Sequence, residues 1–339
     1  MSQAVKVSSL SGADDNPASR LSVLVAEDMA RVNDLVNKRM QSPVGMIPDL
    51  AAHLVDAGGK RLRPMITLAT SAILGYRGDH HIRLATAVEF IHSATLLHDD
   101  IVDGSKLRRG KAVANRLWGN SASVLVGDFL FAQSFSLMVE TGHLPVLGIL
   151  ARASSVIAEG EVHQLSVIGN IDLPIEEYLA IIEAKTAELF AAAARVSAVV
   201  AKRPLEEELA LDQYGRCLGL AFQLVDDALD YAGDERNLGK QAGDDFREAK
   251  VTLPLAFAYQ NSNADDKKWW QQILDADLRS DADLDMARQK INQHQGIEQT
   301  LLRAKAYTKQ AKTALSGFAP SEIRDCLMDL SDYVITRRF

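Results

Sequence analysis

Two stretches of this sequence carry side chains whose types and spacing suit metal and phosphate chemistry. The first, His98-Asp99-Asp100-Ile101-Val102-Asp103, ends a run that is largely apolar from Ala85 to Leu97. The second, Asp226-Asp227-Ala228-Leu229-Asp230, repeats the spacing after Leu218-Gly219-Leu220-Ala221-Phe222. In a helix of about 3.6 residues per turn, Asp99 and Asp103 project within roughly 40° of each other, one turn apart, and so do Asp226 and Asp230. Carboxylates stacked in this way repel, and at a helix C-terminus they also oppose the helix dipole, so a bound cation is needed to offset them. A single motif of this kind is more often just a solvated helix end. Two copies, each beneath an apolar helix, point instead to a shared cation. The donors are all oxygens, with no Cys or His cluster beside them. That selects magnesium, which takes few carboxylates, keeps several waters and completes its shell with substrate phosphates.

Groups for the phosphate are present as well. Gly58-Gly59-Lys60-Arg61-Leu62-Arg63-Pro64 sets three cations in a glycine turn ahead of a helix opened by Pro64, and orphan amides at such a start favour an anion. Arg108 and Arg109 lie five and six residues beyond Asp103, which brings two guanidinium forks within reach of the same place. Lys185-Thr186 interrupts an apolar helix, while Lys240 and Lys250 sit in and at the end of a second polar loop. Taken singly, each lysine is weak evidence, because snorkelling lysines are common. His92 falls two turns before Asp99 on the same face, although a lone helical His is more often a core residue. Gln223 precedes Asp226 by three positions and could orient a carboxylate or a phosphate.

The elements that must hold these groups read as helices throughout. Proline is absent between Pro64 and Pro145 and between Pro204 and Pro254, and both intervals are rich in Ala, Leu, Val and Glu. Apolar steps of three and four recur, as in Leu84, Val88, Ile91 and Thr95, and no strand-like alternation of any length is present. The pattern predicts an all-α bundle with helices near 21–41, 64–75, 80–103, 121–141, 145–168, 174–201, 205–232, 250–261, 283–294, 297–316 and 321–337. Thr186 to Ala201 is apolar nearly all round, which implies central helices in a single domain over 20–339. Residues 1–19 carry Asp14 and Asp15 and no apolar run, and read as a disordered tail without a targeting signal. The loops Asp103–Lys111 and Gly233–Lys250 each follow an acid-rich helix end and are candidate lids.

Composition limits the partners. Against 37 Lys and Arg stand 45 Asp and Glu, a net charge of -8, so nucleic acid or an anionic membrane is not expected as the main partner. Cys217 and Cys326 lie far apart with no metal-type spacing, in keeping with a reducing cytoplasm. The stretch Leu189–Ala201 is broken by Arg195 and is too short to span a bilayer, so no transmembrane segment is expected.

In order along the chain, GGKRLRP at 58–64, EFIHSATLLHDDIVD at 89–103, LRRGK at 107–111, GDFLFAQ at 127–133, EAKTAELF at 183–190, AFQLVDDALDY at 221–231, LGK at 238–240 and KVTLP at 250–254 resemble the trans-prenyltransferases of the polyprenyl diphosphate synthase family. The likeness is strongest to the bacterial long-chain enzymes that make quinone side chains. It implies the isoprenoid-synthase helical bundle around a central prenyl-chain cavity. It also implies head-to-tail condensation of isopentenyl diphosphate onto an allylic diphosphate, farnesyl or geranylgeranyl, for the ubiquinone side chain. By the same resemblance Lys60, Arg63, His92 and Arg109 bind isopentenyl diphosphate. Arg108, Lys185, Thr186, Gln223 and Lys240 contact the allylic diphosphate, with Lys185, Lys240 and Arg108 assisting its departure. Asp99, Asp103 and Asp226 hold three magnesium ions, supported by Asp100, Asp227 and Asp230. A homodimer and a peripheral membrane contact for product release are further expectations of this likeness.

Product length is read at Ala94 and Thr95, where short-chain relatives carry aromatic residues; small side chains here imply an octaprenyl to decaprenyl product. Thr95 lies about 40° from Asp99 around an ideal helix and looks down the channel, whereas Ala94 rests on the resemblance alone. Gly219, two turns before Asp226, would either widen this channel or serve ordinary close helix packing. Two other classes share some of these features. Terpene cyclases have one aspartate-rich helix but lack the GGKRLRP-like phosphate site, and regulatory subunits of two-component synthases have lost the aspartates.

Overall fold

Apolar residues three and four apart commit nearly the whole chain to helix. The computed structural model, which describes residues 16–56, 59–108, 110–232 and 243–336, shows where each helix begins and ends. In order they are α1 (Pro17–Leu24), α2 (Ala26–Arg39), α3 (Met46–Asp56), α4 (Leu62–Ile73), α5 (His80–Val102), α6 (Ala114–Trp118), α7 (Asn120–Val139), α8 (Leu144–Ser166), α9 (Ile175–Ile182), α10 (Glu188–Val200) and α11 (Leu205–Ala232). There follow α12 (Asp244–Arg247), α13 (Leu253–Asn261), α14 (Ala264–Leu274), α15 (Asp281–Gln293), α16 (Gly296–Leu315) and α17 (Glu322–Thr336). A two-residue antiparallel hairpin, Leu107–Arg108 with Lys111–Ala112, supports the loop after Asp103.

The expected all-α bundle with central helices is what forms. Leu84 through Ile91 of α5 are buried without interruption, as are Leu189 through Ala194 of α10, because neighbours cover these helices on every side. Helix α5 packs on α4, α7 and α10, and α10 in turn on α4, α8 and α11. Hydroxyls fasten α4 to α10 in the core. The Thr67 hydroxyl donates to the Ala193 carbonyl at 2.9 Å, and Thr70 and Ser71 both reach Ser197 Oγ, at 2.8 and 3.0 Å. Every one of these groups is buried and partnered, so the register between the two helices is fixed by polar as well as apolar contacts.

A second, smaller core joins Phe246, Leu255, Trp270, Leu284 and Ile291 with Tyr231 at the end of α11. It is built from the segment after the second polar loop, including α14, which the sequence reading passed over because ADDKKWWQQIL is charged along much of its length. Asn263 caps that helix by accepting from the Asp266 amide at 2.9 Å.

Three other expectations are revised. The chain is already helical at Pro17, inside the stretch read as a tail, because Asn16 accepts from the Ser19 amide at 2.9 Å and Pro17 starts the helix; residues 1–15 lie outside the described part. The single helix expected over 174–201 is interrupted by a five-residue π-helical turn, Glu183–Ala187. Apolar length peaks in α7, not in Leu189–Ala201: among the described residues α7 alone is long and apolar enough to cross a membrane, with 39% of its most apolar window buried. Its covered side lies against α5, where a Cβ on Gly127 would fall 2.3 Å from His98 Nε2.

Gly219 resolves to close packing. A Cβ there would lie 2.6 Å from the Ala187 Cα, so the glycine admits the π turn and leaves no extra channel space. Gly219→Ala is therefore expected to destabilise the fold by about 1–3 kcal/mol, despite the better helix propensity of Ala, and to leave product length unchanged. Urea unfolding and product chromatography check this, and a stabilised or chain-shortening variant would contradict it.

Candidate active site

Both acidic motifs end their helices at the same rim of the bundle, and in each the second aspartate is turned inward. Asp100 is 2% exposed and accepts from Arg108 Nη2 at 2.7 Å and Nε at 3.0 Å. Asp227 is 3% exposed and accepts from Gln223 Nε2 at 2.8 Å and from the Tyr178 hydroxyl. Each of these carboxylates thus anchors a side chain that the sequence assigned to the diphosphate, Arg108 in one motif and Gln223 in the other. Gln223 passes the contact on, since its Oε1 accepts from Thr186 Oγ1 at 2.8 Å.

The remaining acids are linked by lysines. Lys250, at the entry to α13, donates to Asp103 at 3.1 Å and pairs with Glu248 at 2.6 Å, tying the end of α5 to the segment beyond α11. Lys185 pairs with Glu161 at 2.8 Å and also donates to Gln164, both on α8. Asp230 accepts from the Asp245 amide at 3.1 Å. A cavity of about 170 Å³ opens among Gln164, Lys185, Thr186, Gln223, Asp245 and Lys250. Direct contacts join Asp103 to Lys250 and Lys250 to Glu248, the Asp245 amide to Asp230, and Asp227 through Gln223 to Thr186, while Lys250 feels Asp245, and Asp99 feels Lys185, through space.

Charge is in excess at this rim. Burial, reinforced by Glu161, raises Asp99 to about 7 although Lys185 opposes it. Burial and the neighbouring Asp245 raise Asp227 and Asp230 each to about 8. Burial would depress Lys250, yet Asp103 and Glu248 hold its ammonium charged. Carboxylates are held this far above their ordinary range first by burial and then by acidic neighbours, and a bound cation would bring them down again. Among the described residues no three His, Cys, Asp or Glu side chains are placed to hold a metal ion by themselves. The all-oxygen donor set fits magnesium that draws its other ligands from water and a diphosphate.

A second cationic group, expected to bind phosphate, lies at the start of α4. Arg63 packs its guanidinium 4.3 Å from the centre of the Phe190 ring and places Nη1 3.2 Å from His92 Nε2, so the lone helical His sits beside a site cation. Lys60 reaches over the Tyr333 ring of α17 at 5.7 Å. Between them Arg61 takes a left-handed backbone, φ 49°, and pairs with the buried Glu89 at 2.7 Å. Phe190 and Phe222 meet at 5.7 Å between this site and the acidic rim. Arg109 and Lys240 lie outside the described residues. Ala94 is fully buried in α5, and Thr95, one position on, donates to the His92 carbonyl at 2.8 Å.

Sequence reasoning left Glu161, Gln164, Tyr178 and Asp245 unassigned and gave Lys250 no partner. Asp244-Asp245 was a further acid pair with a usable signal. The other three sit on helices where a polar residue among apolar ones has no distinguishing spacing.

Comparison with known proteins gives the family. Residues 45–291 match the family described as Polyprenyl synthetase. The chain is 41% identical to octaprenyl diphosphate synthase of Escherichia coli (strain K12) over 318 residues, covering 94% of this chain and 98% of that one. It superposes with TM-score 0.93 and 51% identity on a polyprenyl synthase from Caulobacter crescentus CB15 complexed with calcium and isoprenyl diphosphate, covering 97% of this chain and 100% of that one. A decaprenyl diphosphate synthase from Rhodobacter capsulatus follows at TM-score 0.91 and 47% identity, over 95% and 100%.

The raised carboxylates set a stability test. From the ordinary value of 3.8 up to about 8 the folded chain keeps protons that the unfolded chain has released, so stability is greatest at the acid end of that window and falls as pH rises. In chelator, the melting temperature is expected to drop from pH 5 to pH 8.5 and to drop less in Asp227→Asn. A melting temperature that rises over this range in the wild type would contradict the electrostatic reading.

Proposed function

This chain belongs to the polyprenyl synthetase family and is a trans-prenyltransferase of the long-chain prenyl diphosphate synthase type; from that premise we propose that it elongates farnesyl or geranylgeranyl diphosphate with isopentenyl diphosphate to an octaprenyl to decaprenyl product for the ubiquinone side chain. The observation that carries the reading is the set of side chains gathered at the rim, Lys250 on Asp103, Gln223 on Asp227 and Lys185 within electrostatic reach of Asp99, beside a second cationic group at Lys60 and Arg63. One acidic rim and two phosphate sites suit a reaction between two diphosphates. A terpene cyclase would need only one of those sites.

In this reading Asp99, Asp103 and Asp226 hold three magnesium ions with the allylic diphosphate, Asp230 supports them, and Asp100 and Asp227 act from behind through Arg108 and Gln223. The bound ions would supply neutralisation of the departing diphosphate's charge. Lys185, Lys240 and Arg108 add fixed positive charge where the C–O bond breaks, and they require no rearrangement as negative charge develops there. Thr186 and Gln223 orient the same group. Lys60, Arg63, His92 and Arg109 hold isopentenyl diphosphate with its double bond toward the allylic carbon. The apolar walls of α5 and α10 keep water from the allylic cation, so the alkene attacks it instead. A proton is then lost to the released diphosphate, the nearest strong acceptor, to form the new double bond.

We read the assembly as a homodimer in the cytoplasm. Support for the dimer comes from the uncovered stripe of α7, Ser121, Leu125, Ala132, Ser136 and Val139, small or apolar along most of its length, with Val162 and Leu165 exposed on the adjacent α8. The domain is taken to run from residue 20, extended to Pro17 by the first helix, and to release its product through a peripheral membrane contact.

Purified protein with radiolabelled isopentenyl diphosphate alone is expected to give no product; adding farnesyl diphosphate is expected to give one long chain on reversed-phase chromatography. A cyclic product would select the cyclase reading, and no incorporation with either primer would select the non-catalytic one. Asp99→Ala and Asp226→Ala are expected to lower turnover more than about a thousandfold with the fold intact, since leaving-group neutralisation supplies several kcal/mol. Activity above a tenth of wild type at saturating magnesium would contradict that, with circular dichroism as the folding control.

Length control is tested one turn below Asp99. Ala94→Tyr and Thr95→Phe are expected to shorten the product to farnesyl or geranylgeranyl diphosphate without stopping condensation. An unchanged long product from both variants would move the channel wall elsewhere.

A further inference from the structure

Lys185 and Thr186 are presented by the π-helical turn Glu183–Ala187, a wide turn that costs regular hydrogen bonding and persists only when its surroundings favour it. Two glycines make room for it. A Cβ on Gly160 of α8 would fall 2.7 Å from the Ala184 Cβ, and one on Gly219 of α11 would fall 2.6 Å from the Ala187 Cα. Space alone does not select the π form, because a slimmer α-helical turn would also fit there.

The selecting contact lies away from the rim. Arg216 of α11 places Nη1 3.0 Å from Glu183 Oε1 and 2.8 Å from Glu188 Oε2, while its Nη2 holds Asp212 at 3.1 Å. Glu183 and Glu188 are five residues apart. On a regular α-helix they would point about 140° away from each other, and one guanidinium nitrogen could not reach both. In the π turn the Glu188 amide donates to the Glu183 carbonyl, which stacks residues five apart on one face. Arg195, paired with Glu208 at 2.6 Å, meets the same network at Asp212, 3.7 Å away.

We propose that Arg216 is a positioning residue for the allylic diphosphate: by bridging Glu183 and Glu188 it selects the π turn and so fixes where Lys185 and Thr186 stand. The proposal rests on the reading of Lys185 and Thr186 as diphosphate contacts given above. Arg216 acts only through that turn. Its loss therefore changes how well the allylic substrate is held and leaves the Lys60 and Arg63 site untouched.

Four proteins test this: wild type, Arg216→Met, Lys185→Ala and the double variant, with Glu188→Gln as a milder break of the bridge should Arg216→Met fold poorly. Arg216→Met is expected to raise the KM for farnesyl diphosphate roughly five- to twentyfold, about what a loosened charged hydrogen bond to phosphate produces, with the KM for isopentenyl diphosphate within about twofold. Because Arg216 works through Lys185, the double variant is expected to be no worse than Lys185→Ala alone. Amide hydrogen exchange over residues 183–190 is expected to quicken in Arg216→Met and Glu188→Gln while the rest of α11 stays protected. Equal effects on both substrates, multiplicative losses in the double variant, or unchanged exchange over 183–190 would overturn the proposal. If Lys185→Ala leaves the farnesyl KM unchanged, the diphosphate assignment fails and takes the positioning role with it, whereas the exchange data separately decide whether Arg216 holds the turn.

Discussion

Repulsion among carboxylates at the ends of α5 and α11 is the constraint around which the rest of the molecule is arranged. Six aspartates end two helices at one partly buried rim, against both helix dipoles, and burial lifts Asp99, Asp227 and Asp230 far above the ordinary carboxylate range. The chain answers by giving the members of each motif different work. Asp100 and Asp227, the second residue of each, are almost fully buried and satisfied by Arg108 and by Tyr178 with Gln223. They orient partners from behind. Of the others, Asp103 pairs with Lys250, while burial favours the protonated form of Asp99, against the pull of Lys185, and of Asp230. On the proposed reading a magnesium–diphosphate complex supplies the missing charge, so the same repulsion that weakens the fold at neutral pH gives the site its affinity.

The two hydrophobic cores divide the task accordingly. The large core fixes α4, α5, α11 and the π turn with α10 behind it, and hence the segments on which Arg63, Asp99, Asp226 and Lys185 are mounted. The small core around Phe246 and Trp270 carries Asp245 and Lys250 to the rim from outside the bundle. Tyr231 belongs to it and sits one residue after Asp230, so the second motif is the seam between the two. The two also meet in α13, where Leu253 belongs to the large core and Leu255 to the small one, which ties the position of Lys250 to both.

Much of this was legible in the residues. Long runs of Ala, Leu and Val without proline gave the helices, and the i, i+4 aspartates and the glycine turn gave the two ends of the site. What escaped reading was set by tertiary contact. Nothing in Glu183-Ala-Lys-Thr-Ala187 distinguishes a π turn from an α turn; glycines on two other helices make room for it, and on our proposal Arg216, 28 residues past Glu188, makes the choice. Helix α14 is polar enough to pass for a loop until Trp270 is seen in the small core. Gly219 allowed two readings because a missing side chain leaves the same gap in sequence whether the space belongs to a substrate or to a neighbouring backbone. Glu161 and Gln164 show no spacing signal at all, since one polar face of α8 serves both solvent and site.

Helices α5 and α11 each change character within a single turn, from an apolar interior to a cluster of acids. A reaction that departs from a charged diphosphate and passes through a carbon cation needs both environments in contact, one dense in charge and the other dry. Two separate elements could supply them only if their junction were sealed against water. A helix that carries both removes the junction, because the same hydrogen-bonded backbone runs from one to the other. It also sets a direction. On the proposed reading, with the diphosphate held at the acid end, a lengthening chain extends back along α5, past Thr95 toward the buried, apolar Ile91 and Val88, where the helix pairs its own backbone groups. On that reading growth away from the charge follows from where the aspartates stand on the helix, and the size of the side chains met along the way decides where it stops.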